Sequence, residues 1–285
     1  MLILLGSFIV LASVFGGFLM AGGHPIHLIQ SAEFVIIAGS ALGAMITMAP
    51  RRVILDLFKQ ILASLKGAPY SKGSYEELFK TLYELFMLGR RNGMIALEDH
   101  VTNPGSSNIF NKYPTVSKNH YAIQFLCSGL RPIIDGKVKP DQLRALMEIE
   151  LEAMENERGR PVNVLSRAAD AMPAFGIVAA VLGIVITMSS IAGPIEQIGE
   201  HVAAALVGTF LGILLSYGFV NPLAMNLEFN GAAELSYARC IAASVIGFAN
   251  GMAPVMAVEV ARRGLSSEVR PTSDELELML KSIGK

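Results

Sequence analysis

The chain has 285 residues, 52% of them hydrophobic and only 16% charged, with a formal net charge of -1. So apolar a composition is unusual for a water-soluble globular protein, and a near-zero charge gives no basis for binding nucleic acid. The two cysteines, Cys127 and Cys240, make neither a disulfide framework nor a metal site and are read as isolated reduced thiols.

The charge is segregated. All 23 Lys and Arg lie within 51–167 or 239–285, and residues 1–50 and 168–238 hold none. The pattern predicts an all-α membrane protein: four transmembrane helices with a large helical cytoplasmic domain. It divides the chain into a membrane hairpin over 1–50, a loop domain over 51–167, a second hairpin over 168–227, and a C-terminal helix and tail over 228–285.

The first span is placed over 2–21, long enough for the ~20 residues that cross ~30 Å of hydrocarbon. A secretory signal carries a basic leading segment; Met1–Ala21 has no basic residue and is read as a retained helix. GGHPIHLIQSAE, with Pro25 and two histidines, is a turn. The second span is placed over 31–49, closed by Pro50 and Arg51. Gly39 and Gly43 on it have the spacing that lets another helix approach closely.

In the long loop, Ser74 with Glu77 has the form of a capping box opening a helix, and Leu78, Leu82, Leu85 and Phe86 continue it at helical spacing. Arg90-Arg91-Asn92-Gly93 breaks that helix, Met94–Val101 follows, and Asn103-Pro104-Gly105-Ser106-Ser107 is a loop by composition. Two further helices are expected over Tyr121–Leu130 and Pro140–Asn156.

The third and fourth spans are placed over 171–193 and 201–225. Small residues repeat every fourth position on both: Ala179, Gly183 and Thr187 on one, Ala204, Gly208, Gly212 and Ser216 on the other. Such stripes are close-packing surfaces. Pro173 and Pro222 lie near one end of each span, where proline kinks or ends a helix. Cys240–Val258 is again apolar, but Asn250-Gly251 and Pro254 interrupt it. A helix on the cytoplasmic domain is favoured there over a fifth span.

Basic residues near span ends mark the cytoplasmic side. Arg51, Arg52 and Arg167 agree, and the connections at 22–32 and 193–200 carry no Lys or Arg. Both termini are therefore expected in the cytoplasm.

Enzyme signatures are absent: no P-loop, no GxGxxG after a strand, no HExxH, no GxSxG. His24, His27, His100, His120 and His201 are scattered, and no third ligand joins the first two to hold a metal. Ion pathways need ionisable groups at membrane depth. Glu33, Asp170 and Glu200 are all read as lying at span ends. If this chain moves protons, the titrating carboxylate is therefore expected on another chain.

MLILLGSFIVLASVFGGFLMAGG, AEFVIIAGSALGA, MPAFGIVAAVLGI, VGTFLGILLSYGFVNPLA and MAPVMAVEVARR followed by SSEVRP together resemble the MotA family of flagellar stator subunits over essentially the whole chain. That resemblance implies a multi-pass inner-membrane protein, five copies ringing two MotB helices. MotB would supply the proton-accepting aspartate and a cell-wall anchor; the transported ion would be H+, with no cofactor. It further implies that Pro173 and Pro222 couple proton movement to conformational change, and that Arg90 and Glu98 meet the rotor protein FliG. Sodium-type relatives carry a hydroxyl where this chain has Ala180. Thr209 on the neighbouring span occurs in both types, so protons are the expected ion.

Two other classes compete. An energiser of the ExbB/TolQ type shares the architecture with three spans, and a self-sufficient secondary transporter would conduct alone.

Overall fold

A computed structural model describes residues 2–65, 67, 69–189 and 191–283, and no strand occurs among them. Four helical stretches are long and apolar enough to cross a membrane: Leu2–Met20, Pro25–Met48, Pro140–Ser189 and Ile195–Ala249. The chain forms two compact units, Met1–Gly67 with Glu157–Asn230, and Ala68–Asn156 with Gly231–Lys285.

The first unit holds the apolar helices. α1 (Leu2–Met20) buries none of its residues. A 3-10 turn over Pro25–Leu28 leads to α2 (Ser31–Met48), whose buried face is Glu33, Ile37, Ala41 and Met45. Spacing by four keeps these side chains on one stripe of a 3.6-residue helix. Pro50, which cannot continue α2, caps α3 (Arg51–Ser64).

The unit is completed by part of α9 (Pro140–Ser189), by α10 (Ile195–Leu215) and by the start of α11 (Asn221–Ala249). Pro194 opens α10. One buried cluster joins Met45 and Leu57 to Leu165, Ala168, Ala224 and Leu227. A second joins Ile37 to Ala179, Val207 and Leu211. These two clusters fix the stagger of α2 against the long helices.

The second unit packs on α4 (Lys72–Asn92), whose buried face runs Leu78, Phe79, Leu82, Leu85, Phe86. The capping box expected at Ser74 and Glu77 forms one turn earlier. The Ser71 hydroxyl accepts the Ser74 N–H at 3.4 Å and the Ser71 N–H is received by the Ser74 hydroxyl at 3.3 Å. Glu77 is thereby free to reach further along the chain, and its carboxylate accepts the Thr115 N–H at 2.8 Å and the Thr115 hydroxyl. Gly93, at φ +84°, ends α4, a conformation open to glycine at little cost.

α5 (Glu98–Thr102), α6 (Asn108–Asn111), α7 (Pro114–Ser117) and α8 (His120–Ile134) follow. Phe86 stacks on Phe248 with ring centroids 4.4 Å apart, and Tyr70 stacks on Tyr237 at 4.2 Å, so the last part of α11 is tied to α4 and the segment before it. α11 stops at Ala249, Gly251 turns the chain at φ +81°, and Pro254 starts α12 (Pro254–Arg263). The apolar stretch Cys240–Val258 is therefore two packed helices and not a fifth span.

Arg262 is buried and bonds on three sides: to Glu259 at 2.7 Å, the Pro271 carbonyl at 2.8 Å and Ser273 Oγ at 3.0 Å. α13 (Ser273–Lys281) opens on a Thr272–Glu275 capping box. Cys127 and Cys240 are free and buried, and burial pushes the Cys127 thiol up to about 11, so it stays protonated at neutral pH.

Candidate functional site

α9 and α10 form the crossing on which the membrane unit is built, and glycine sets its depth. A Cβ on Gly176 would come within 2.8 Å of the Gly208 carbonyl oxygen, and one on Gly212 within 2.7 Å of the Met172 carbonyl oxygen. Gly183 meets the Ala205 methyl in the same way, at 2.8 Å. Backbone touches backbone along this seam, which in hydrocarbon is where dispersion and close approach hold helices together. The expected stripe is present, in a modified form. Gly176 joins Ala179 and Gly183 on α9, and Ala205 stands with Gly208 and Gly212 on α10. Gly39 and Gly43 of α2, by contrast, have nothing within 4 Å and face away from the chain's own helices.

The six sequence-derived positions fall in three places. Ala180 and Thr209 are half-buried and each follows a residue of the Ala179–Gly208 contact, so they share one level on neighbouring helices. Pro173, also half-buried, lies inside continuous α9 beside Met172, where Gly212 crosses. A proline there leaves the Ala169 carbonyl without its helical donor. It is about 10 Å along the axis from Ala180, seven residues at 1.5 Å each.

Pro222 is exposed and belongs to a different feature. Between α10 and α11 the chain makes a π-turn, Ser216–Val220, closed by the Asn221 N–H on the Ser216 carbonyl. Proline at 222 cannot donate to the Gly218 carbonyl, and widening the preceding turn is one way a helix absorbs that loss. The Asn221 side chain donates to Ser216 Oγ and to Asp170 Oδ1, both at 3.4 Å. The π-turn is thereby linked to α9 three residues before Pro173.

Arg90 and Glu98 sit in the second unit, at the end of α4 and the start of α5. Both are exposed, and neither forms an ion pair among the described residues.

One residue has surroundings that the sequence reading does not anticipate. Glu33 is in the first turn of α2, at the helix end where the sequence places it, but it is buried there: it is 5% accessible, and its Oε2 lies 2.7 Å from the place of a Cβ on Gly208. That atom has no hydrogen-bond partner among the described residues. Ala179, at the same level, is ten residues inward of Ser189, so Glu33 is about 15 Å inside the end of α9. α2 is shorter than its neighbours, and this shortness is the one hint that residue order holds.

Residues 4–93 match the family model "Motility protein A N-terminal", and residues 117–235 match "MotA/TolQ/ExbB proton channel family". The chain is 40% identical to "Motility protein A" of Salmonella typhimurium over 283 residues, 99% of this chain and 96% of that one. The chain belongs to the motility protein A family. "Chemotaxis protein LafT" of Vibrio parahaemolyticus is 37% identical over 276 residues, 97% of each chain. The fold matches a chain of the C. jejuni MotAB structure at TM-score 0.78 and 21% identity, covering 95% of this chain and 98% of that one. Motility protein A membership and four candidate spans both stand against the three-span energiser reading.

Proposed function

We propose that this chain is the channel subunit of a flagellar stator, which conducts protons together with a MotB-type partner and turns the current into torque on a rotor protein. The observation that carries the reading is the near-full-length similarity to motility protein A, on a hairpin with no Lys, Arg, Asp or Glu from Ala171 to Ser189 or from Val202 to Leu227. A hairpin this uncharged supplies a dry, closely packed wall. The proton-accepting aspartate comes from the partner's membrane helix, and several copies of this chain, five in the arrangement the family suggests, surround two partner helices in the inner membrane.

The residues divide the work. Ala180 and Thr209 line one level of the hairpin and shape the ion site; with a methyl at 180, that level offers fewer of the oxygen ligands that a sodium ion needs. Pro173 and the π-turn before Pro222 interrupt the backbone hydrogen bonding of their helices near the Asp170–Asn221 link. Helix segments freed in this way change direction at smaller cost than intact ones. A proton arriving on or leaving the partner's aspartate changes how the hairpin packs, and α9 and α11, which each run on into the second unit, pass that change onward. There the exposed charges Arg90 and Glu98 meet the rotor. Single exposed pairs contribute ~0–1 kcal/mol, which suits contacts that are made and released repeatedly.

Both termini lie in the cytoplasm in this reading, with His24 and Gly199 outside. Cysteines introduced at His24 and Gly199 are labelled by a membrane-impermeant reagent in intact cells, and one at Glu98 only after lysis. Labelling of the Glu98 position in intact cells would refute the orientation. In a strain lacking its own motility protein A, expression with the partner restores swimming; cells that remain paralysed despite an assembled complex would refute the function.

A further inference from the structure

Glu33 heads the buried stripe of α2, and the structure gives it surroundings that a space-filling residue does not need. Its carboxyl is packed over Gly208 of α10, where any side chain would collide with it, and Ala179 of α9 closes the same spot. Oε2 is buried with no partner among the described residues. Burying one carboxylate oxygen without a donor disfavours the charged form relative to the neutral acid. The two charge states of Glu33 therefore call for two packings of α2 against the α9–α10 crossing.

A second orphan lies on the same face. His201, seven residues before Gly208 on α10, is half-buried, and its Nδ1 is likewise buried without a partner. Seven residues bring it back to the same side of the helix about 10 Å further toward the α10 start. The turn carrying His24 and His27, both exposed, packs on α10. α9 contributes no ionisable side chain between Ala171 and Ser189. The titratable groups nearest the Glu33 side of α10 by helix spacing are thus His201 and, beyond it, the two histidines of the turn that packs on α10. All of them lie on the side that the proposed topology places outside.

We propose that Glu33 is a proton-binding station of the channel, fed from outside past His201 and placed at the level of Ala180 and Thr209. The Glu33 carboxylate takes a proton from a hydronium ion entering from outside, forming an O–H bond and leaving water, and later gives the proton to the partner's carboxylate, which regenerates the Glu33 anion. The proposal rests on the stator reading above. It modifies that reading in one respect: the chain contributes a titrating group of its own at membrane depth.

The test uses the assembled complex with its partner, in vesicles. Glu33→Gln keeps the side-chain volume and removes proton exchange; Glu33→Asp keeps the exchange. The expected result is a fall in proton flux of about tenfold or more for Gln at an unchanged amount of complex, with Asp retaining most of it. Infrared difference spectra taken between about pH 5 and about pH 9 supply a readout that packing alone does not move. The pH-dependent protonated-carboxyl signal of the unaltered complex has a Glu33 component that shifts in Glu33→Asp and is lost in Glu33→Gln, leaving the part contributed by the partner's aspartate. Undiminished flux in Glu33→Gln overturns the proposal, and so does a carboxyl spectrum that neither substitution alters. An unaltered complex that conducts nothing refutes the stator reading itself, a result distinguishable from both.

Discussion

Glu33 Oε2 sits 2.7 Å from the point that a Cβ on Gly208 would occupy, so a glycine on one helix holds a place for a carboxyl on another. The arrangement belongs to a seam in which each close approach is set by a missing side chain. Its strength therefore depends on small residues that carry no chemistry of their own.

Gly176→Ala and Gly212→Ala each drive a methyl into a main-chain carbonyl oxygen, of Gly208 and Met172 respectively. Backbone cannot swing aside as a side chain does, and each change is expected to cost about 1–3 kcal/mol as overpacking. Gly39→Ala, with nothing within 4 Å, is the matched control within this chain. Thermal unfolding of the detergent-purified complex checks the set: lowered midpoints for 176 and 212, and a loss at 39 only if that face is covered by another chain in the assembly.

Glu259 is held well below the usual carboxylate range, to about 2, first by its hydrogen bond from Arg262 and further by Arg263. A depressed folded-state value means the Glu259 contribution is fully present above about pH 4.5 and is lost as pH falls toward about 2. Glu259→Gln keeps one acceptor oxygen but removes the charge opposite the buried Arg262 guanidinium and is expected to cost about 3 kcal/mol. Acid titration of the purified complex, followed by circular dichroism, should show the wild-type protein losing stability between about pH 4.5 and about pH 2 and the Gln variant already destabilised at neutral pH.

Much of this organisation is legible from residue order. Segregated charge marks the membrane helices, and the small-residue stripes of the third and fourth spans mark the surfaces that meet. Local chemistry at the start of α4 differs by one turn from the expected Ser74 cap, because Ser71 offers the same hydroxyl closer to the helix start, while Glu77 finds a partner 38 residues on. The burial of Glu33 is barely legible, the shortness of α2 being its one hint. Position within a helix is a sequence property, but depth depends on stagger between helices, here set by Ile37 against Ala179, Val207 and Leu211. Pro222 marks a disturbed helix, but the link from Asn221 beside it to Asp170, 51 residues away, is a tertiary contact that residue order does not show.

Arg90 and Glu98 are exposed and without ion pairs among the described residues. Replacing either by Ala should leave thermal stability within about 0.5 kcal/mol, as is usual for such surface sites. Swimming speed should nevertheless fall, with charge reversal worse than neutralisation. A paralysed Arg90→Glu variant with an unchanged melting midpoint supports a contact role; equal losses of speed and stability would assign the effect to folding.

Ala180→Thr adds one hydroxyl at the level of Thr209, yet sodium needs several oxygens and the partner supplies part of the site. Cells carrying this change alone are expected to swim on protons still, with speed independent of sodium concentration and abolished by a protonophore. Sodium-dependent swimming would show that this chain alone decides the ion.

The most direct test of the whole account is proton flux across vesicles that contain this chain alone, this chain with its partner, and this chain with a partner whose membrane aspartate is changed to Asn. Flux is expected in the second preparation only, with the third assembled to the same extent as the second. Flux through this chain alone would contradict the account, since the pathway would then be complete without the partner's carboxylate.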